Sequence, residues 1–408
     1  MPKKILYITY DGLTDPLGQS QILPYLVGLS KSGYQFTILS FEKKDRYAAQ
    51  KNIINSITEN AGITWVPLSF TSKPPVISKF YDAMRMRSRA FALHRANNFD
   101  MVHCRSYIAA DIGLRMKKRT GIKFFFDMRG FWADEKRDGG AWKDDNPVFK
   151  RVYKYYKRKE AEYLQHADHI ISLTAAGKNE LTTWPSYRSS VPVTVIPCCA
   201  DMALFTQTSA SQRSLARERL GIGEDRLVVS YLGSIGSWYM LDEMLKLFVL
   251  MRQTYPTAVF LFITHSNPAL IRSKASSLGI PAEALVITEA SRMDVPVLVK
   301  ASDINISFIK PVFSKISSSP TKLGEVLSMG IPVIVNAGVG DVEEIVNSTG
   351  SGHVVKDFSP ATLMKAVNDI PRLLQLDPGD IRSKAAGIFD LQEGIEKYET
   401  VYRQVFGN

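Results

Sequence analysis

Cysteine is scarce: Cys104, Cys198 and Cys199 are the three in 408 residues. An odd number with two adjacent cannot build a disulfide framework, and no CxxC or Cys/His spacing is present. A reducing compartment and no metal site are therefore expected. Long apolar runs are also missing. No stretch reaches the ~18 consecutive apolar residues that a spanning helix needs. The opening MPKKILYITY has an apolar run of only Ile5 to Ile8, too short for the core of a signal peptide. The expected location is the cytoplasm, with any membrane contact peripheral and on the inner face. A GxGxxG fingerprint is absent, which removes the argument for a dinucleotide cofactor. Repeats and low-complexity tracts are absent too, which removes solenoids.

Acidic charge is short in one half alone. Residues 1–195 carry 31 Lys+Arg against 18 Asp+Glu, a net +13, while residues 196–408 carry 20 against 22, a net −2. An excess confined to one half points to a directional anionic partner, such as a membrane face or a phosphorylated substrate, more than to general solubility. Two segments concentrate it. Lys73 to Arg95 places Ile77, Phe80, Tyr81, Met84 and Phe91 at helical spacing among Lys79, Arg85, Arg87 and Arg89, and Lys150 to Lys159 reads KRVYKYYKRK. Either segment alone reads as a core-facing helix with a solvated basic face. Together they describe a surface for anionic lipid heads at 73–95 and 150–159. No nucleic-acid motif accompanies the charge, and nucleic acid is not an expected partner.

What is present is a rhythm of short apolar runs separated by helix-length segments. The first series is ILYITY from Ile5, FTILSF (36–41), ITWVPL (63–68), DMVHC (100–104), KFFFDM (123–128) and DHIISL (168–173). A second begins after Pro197: LVVSYLG (227–233), AVFLFIT (258–264), ALVIT (284–288), INISFI (304–309) and IPVIVN (331–336). This alternation predicts α/β architecture: two doubly wound parallel sheets with a hinge near 195–205 and a cleft between them. Ligands then belong at the carboxyl ends of the strands.

Several strand ends carry chemistry. Gly12 and Gly18 lie in the loop predicted after the first strand, where backbone can approach a diphosphate. His103 and Arg105 end the DMV run, and Asp127 and Arg129 end KFFF. Gly233, Ser234 and Gly236 form a turn after LVVSYL. The richest segment is ISSSPTKLGEVLSMGIPVIVNAGVGD (316–341). There Ser319 is placed to cap a helix, Pro320 fits its first position, and Leu323, Val326, Leu327 and Met329 form its apolar stripe. Open amides at its start, hydroxyls from Ser317, Ser318, Ser319 and Thr321, and the charge of Lys322 describe an anion site. Glu325, one turn on, suits a ribose diol.

This segment, with its Ser-Pro-Thr-Lys-x-x-Glu start and Gly-x-Pro-Val-Ile strand, resembles the donor-nucleotide motif of the family 4 glycosyltransferases of GT-B fold. Asp11 to Gln21 looks like their acceptor-domain loop, Glu160 to Thr174 like the entry to the hinge, and Tyr231 to Tyr239 like the first strand and loop of the donor domain. The resemblance implies GT-B architecture: a basic acceptor-binding domain over 1–195, a donor domain of Rossmann type over 196–390, and a C-terminal helix over 391–408 crossing back to the first. It implies a retaining, metal-independent transferase. Its donor would be a UDP- or GDP-linked sugar and its acceptor a glycan or polyprenyl-phosphate-linked molecule, in cell-surface polysaccharide or glycoconjugate synthesis. No cofactor is implied.

In the family's Glu-x7-Glu pattern, Glu325 matches the ribose-binding second Glu, but the first position holds Ser317. The strand-end loop at 233–238 lacks the Arg and Lys that many relatives use for the diphosphate, leaving Lys322 as the leading cation, with Arg105, Arg129, Lys310 and Lys315 as reinforcements. Where many relatives have a histidine beside the transferred sugar, this chain has Asp127 and Arg129, which rank above His103 as catalytic candidates, with Arg105 a further one. The readings left open are an epimerase or phosphorylase on the same fold, and a non-catalytic protein binding nucleotide sugar or nucleic acid.

Overall fold

The structure, a computed structural model, describes residues 2–73 and 75–407, and the backbone alone of 75–77. It divides into two compact units, Met1–Pro197 with Leu391–Asn408, and Cys198–Asp390.

The first unit is built on seven parallel strands: β1 (Lys3–Thr9), β2 (Tyr34–Glu42), β3 (Thr64–Ser69), β4 (Met101–Arg105), β5 (Lys123–Asp127), β6 (His169–Ser172) and β7 (Val193–Val195), in the order β3-β2-β1-β4-β5-β6-β7. The chain runs outward from β1 to β3 and then returns to β4, so the order reverses between β1 and β4. Their carboxyl ends flank the crevice where such sheets take ligands. Ile5, Leu6, Ile8, Val102, Phe124 and Phe126 are fully buried, as expected of strands covered on both faces. The register sets Tyr7, His103 and Phe125 side by side, and two residues along it sets Arg105 beside Asp127.

The second unit repeats the plan with six parallel strands: β8 (Val228–Leu232), β9 (Val259–Ile263), β10 (Leu285–Thr288), β11 (Ile304–Ser307), β12 (Val333–Asn336) and β13 (Gly352–Val355), in the order β10-β9-β8-β11-β12-β13. The reversal here falls between β8 and β11.

Sequence patterning misses β7 and β13, both edge strands. Val193–Val195 is a tripeptide between Pro192 and Pro197, and β13 opens on Gly352 and His353, so neither presents an apolar run. The first strand is followed by two helices, Pro16–Gln21 and Leu23–Lys31, separated by a break at Ile22 (φ −125°, ψ −64°). Pro24 has no amide hydrogen to continue the first helix and sits comfortably at the start of the second. Gly18 consequently lies within a helix and not in a loop.

The helix Leu391–Phe406 belongs to the first unit. Its Ile395 packs on Gly28, where an added Cβ would stand 2.3 Å from Ile395 Cδ1. Its Tyr402 meets the ring of Tyr34 edge-on at 5.2 Å. Among the described residues no helix is long and apolar enough to cross a membrane. The three cysteines are buried.

Candidate functional site

In the second unit the two motifs singled out in the sequence, nearly ninety positions apart, meet at the β8/β11 reversal. Gly233 follows β8 with φ +109°, a conformation natural to glycine alone. A Cβ there would stand 3.2 Å from Lys322 Nζ. Tyr231 Oη accepts a hydrogen bond from Lys322 Nζ at 3.1 Å and donates to the Ser234 carbonyl at 2.7 Å. The turn is tied down further by Ile235 N–H to Ser266 Oγ (2.7 Å) and Met240 N–H to the Phe308 carbonyl (3.0 Å). Ser234 and Gly236 are exposed on it.

Lys322 is the most unusual group of the unit. It is buried, and its ammonium lies 4.2 Å from the Tyr231 ring centre and 3.8 Å from that of Tyr239. Burial lowers its pKa to about 7, against a small opposing pull from Glu325. Lys315, also buried, rests 3.9 Å over the Trp238 ring, and Lys310 is exposed.

The helix is Thr321–Ser328, and its N-cap is Pro320, with no side-chain cap. Ser319 is not the cap expected. A residue before proline is held out of the helical region, and the Ser319 hydroxyl accepts the Cys198 amide at 3.1 Å instead. The first-turn amides are thus left without a capping side chain, which suits them to an anion. Ser317 Oγ donates to the Ser314 carbonyl at 3.1 Å within the turn Phe313–Ser317, and Ser318 N–H donates to the Lys315 carbonyl.

Glu325 is buried on this helix, and its Oε1 accepts from Nη1 of Arg292, a residue of the loop after β10 that sequence reasoning did not single out. Burial raises the Glu325 pKa, and Arg292, then Lys322, hold it back.

In the first unit, His103, Arg105, Asp127 and Arg129 are brought together at the ends of β4 and β5. Asp127 Oδ2 lies 3.6 Å from His103 Nε2 and 3.8 Å from an Arg105 nitrogen, and Oδ1 lies 3.9 Å from Arg129 Nη1. Tyr398 of the C-terminal helix donates to Asp127 at 3.2 Å, and Tyr402 stands 2.6 Å from His103 Nδ1. Burial alone would raise the Asp127 pKa, but Arg129, His103 and Arg105 outweigh it and leave the carboxyl below its ordinary value. Burial lowers the pKa of His103, which is therefore neutral at physiological pH. Arg105 also reaches the half-buried Asp11 at 3.5 Å. Arg129 (φ +54°) and Ser106 (φ +64°) hold left-handed conformations, strained for non-glycine residues.

Gly12 and Gly18 serve the loop's own packing. A Cβ on Gly12 would meet Glu42 Oε2 at 2.6 Å, and one on Gly18 would meet the Gly12 carbonyl at 2.1 Å. Glu42, missed in the sequence, pins this loop: it accepts from the amides of Leu13 (2.8 Å) and Thr14 (3.1 Å) and from the hydroxyls of Thr14 and Ser40, both at 2.6 Å. The only sequence signal was a carboxylate at the end of an apolar strand.

The basic segments divide. On the helix Pro75–Asn97, Phe80 (68%), Tyr81 (54%) and Met84 (44%) are exposed beside Lys79, Arg89 and Arg95, while the Ile77 side chain and Pro74 lie outside the described residues. On Pro147–His166, Lys150, Arg151, Lys154 and Arg158 are exposed. Lys157 turns inward to Asp134 (2.9 Å) and Glu160, and Lys159 pairs with Glu162 (2.8 Å), so those two do not extend the surface.

Two parallel doubly wound sheets in one chain, each with polar groups gathered beside its strand-order reversal, are the arrangement of GT-B proteins. Residues 25–204 match the model of Glycosyltransferase Family 4, and residues 212–373 that of Glycosyl transferases group 1. A D-inositol 3-phosphate glycosyltransferase of Salinispora arenicola is 22% identical over 295 residues, 69% of this chain and 62% of that protein, so the match spans less than two thirds of the relative's length. Among solved structures, sucrose-phosphate synthase from Thermosynechococcus elongatus superposes with a TM-score of 0.72 at 14% identity, covering 99% of both chains. Anabaena HepE in complex with UDP and glucose gives 0.71 at 15% identity, covering 98% of this chain and 99% of that one. The chain belongs to the family 4 glycosyltransferases and has the GT-B fold.

Proposed function

We propose that the protein transfers a sugar from a nucleotide-diphosphate donor, UDP- or GDP-linked, to a glycan or polyprenyl-phosphate-linked acceptor, with retention and without a metal. The observation that carries this reading is Lys322 at the Gly233 turn, one helical turn before Glu325. A cation, uncapped helix amides and a nearby carboxylate suit phosphates and a ribose diol respectively. Charge stabilisation of the departing diphosphate by Lys322 and the amides of Ser319, Thr321 and Lys322 takes the place of a divalent ion. Ser317, Gly233, Ser234 and Gly236 supply backbone close to the donor. The solved complex of HepE with UDP supports a uridine nucleotide. The phosphorylated acceptor named for the Salinispora relative supports an anionic acceptor for the basic first unit. Arg105 and Arg129, held by Asp127 and His103, would meet that acceptor.

Thermal unfolding with UDP, GDP, ADP, CMP or dTDP, with and without magnesium, tests the donor site. One nucleotide should raise the midpoint equally in both conditions. No shift with any nucleotide would remove the donor reading, and a shift only with magnesium would remove metal independence.

The exposed Phe80, Tyr81 and Met84 among lysines and arginines support contact with the inner face of a membrane in polysaccharide or glycoconjugate synthesis. Sedimentation with phosphatidylglycerol vesicles should capture the protein at low salt and release it at high salt, with Phe80→Glu binding less. Capture by neutral phosphatidylcholine alone, or by neither, would overturn this surface.

A further inference from the structure

We propose that Arg292 is a positioning residue for the donor nucleotide: it engages one oxygen of Glu325 and leaves the other to accept a ribose hydroxyl. This rests on the reading of Glu325 as the ribose ligand. The carboxylate is buried, and a buried carboxylate without a partner tends to take up a proton, after which one oxygen becomes a donor and the other a weaker acceptor. Arg292 prevents this from outside the helix. It arrives from the loop after β10, its Nη1 donates to Oε1, and its guanidinium is held 5.0 Å from the Phe205 ring centre. Among the described residues no other hydrogen-bond donor reaches Glu325, so Oε2 is left for a ligand.

The charged groups facing Glu325 are Arg292 and Lys322. Lys322 cannot substitute for Arg292, because burial removes much of its charge above about pH 7. Without Arg292 the Glu325 pKa rises further, so the protonated fraction grows as pH falls. Nucleotide affinity in an Arg292→Ala protein should therefore drop, relative to the wild type, as the pH is lowered. Lys322 gains charge over the same range, and because the Glu325 carboxylate helps to hold that charge, the variant gains less of it, which widens the ratio of variant to wild type in the same direction.

The test is calorimetric titration with UDP and GDP at pH 6 and pH 8 for the wild type, Arg292→Ala, Arg292→Lys, Glu325→Gln and the double variant. Arg292→Ala should bind about tenfold more weakly at pH 8, as for loss of one charge-assisted contact, and the ratio should widen at pH 6. Arg292→Lys should recover part of the affinity, and Arg292→Ala should add little to Glu325→Gln, since it acts through that carboxylate. A ratio independent of pH, or full additivity in the double variant, overturns the inference while leaving the ribose reading intact. Unchanged affinity in Glu325→Gln overturns the ribose reading and this inference with it.

Discussion

Lys322→Met is expected to weaken nucleoside diphosphate binding by about a hundredfold and to lower turnover by a similar factor, the scale of losing a preorganised charged donor to phosphate. The same variant should change how binding depends on protons. With its folded pKa lowered to about 7 by burial, the free protein holds Lys322 largely neutral at pH 8, and a diphosphate beside it favours the ammonium. Binding at pH 8 should therefore take up close to one proton. This is measured as the dependence of the calorimetric enthalpy on the ionisation enthalpy of the buffer, and it should be absent in the methionine variant. The stability of the unliganded protein follows the same linkage. Between about pH 7 and the unfolded lysine value near 10.4 the unfolded chain binds a proton that the folded one does not, so this residue makes stability rise with pH across that window. Wild-type binding with no proton uptake would mean that the diphosphate does not meet Lys322.

Asp127→Ala should act on the other unit and on stability. The carboxylate lies among the buried Arg105 and His103 and the partly buried Arg129, and takes a hydrogen bond from Tyr398. Removing one partner from such a cluster leaves uncompensated charge in the interior, a loss of roughly 3–5 kcal/mol. Chemical denaturation should show the first unit unfolding earlier, while nucleotide binding by the second unit persists. Because the folded pKa is depressed, the wild-type contribution is present above the unfolded carboxylate value near 3.9 and is lost as pH falls through the lower folded value. The variant should therefore be less sensitive to acid than the wild type over that range. Unchanged stability with abolished turnover would instead make Asp127 a reacting group.

The two sheets were legible because parallel strands covered on both faces must be written as short apolar runs, and among the described residues eleven of the thirteen strands are such runs. The edge strands Val193–Val195 and Gly352–Val355 escape because an edge requires little hydrophobic length. The site was legible where its chemistry is local, as in the run from Ser317 to Glu325. It was illegible where a partner comes from far along the chain. Arg292 lies 33 residues before Glu325, and Glu42 lies 28 residues after Thr14. Nothing in the local pattern of either marks it as more than a surface charge. Ser319 shows a different failure: serine before proline reads as a cap, but the backbone restriction imposed by Pro320 moved the helix start beyond its reach.

The first unit is built from two separated stretches, Met1–Pro197 and Leu391–Asn408, with the whole second unit between them in sequence. During synthesis the second unit emerges whole before Tyr398 and Tyr402 leave the ribosome. Until then Asp127 lacks its hydroxyl donor, His103 lacks its neighbour, and the apolar bed around Gly28 is uncovered. The nascent first unit therefore waits, incomplete, through the translation of nearly two hundred further residues. That interval is when its exposed surface is open to aggregation and to chaperones. A knot of buried charge that steadies the finished protein is thus a liability while the protein is being made.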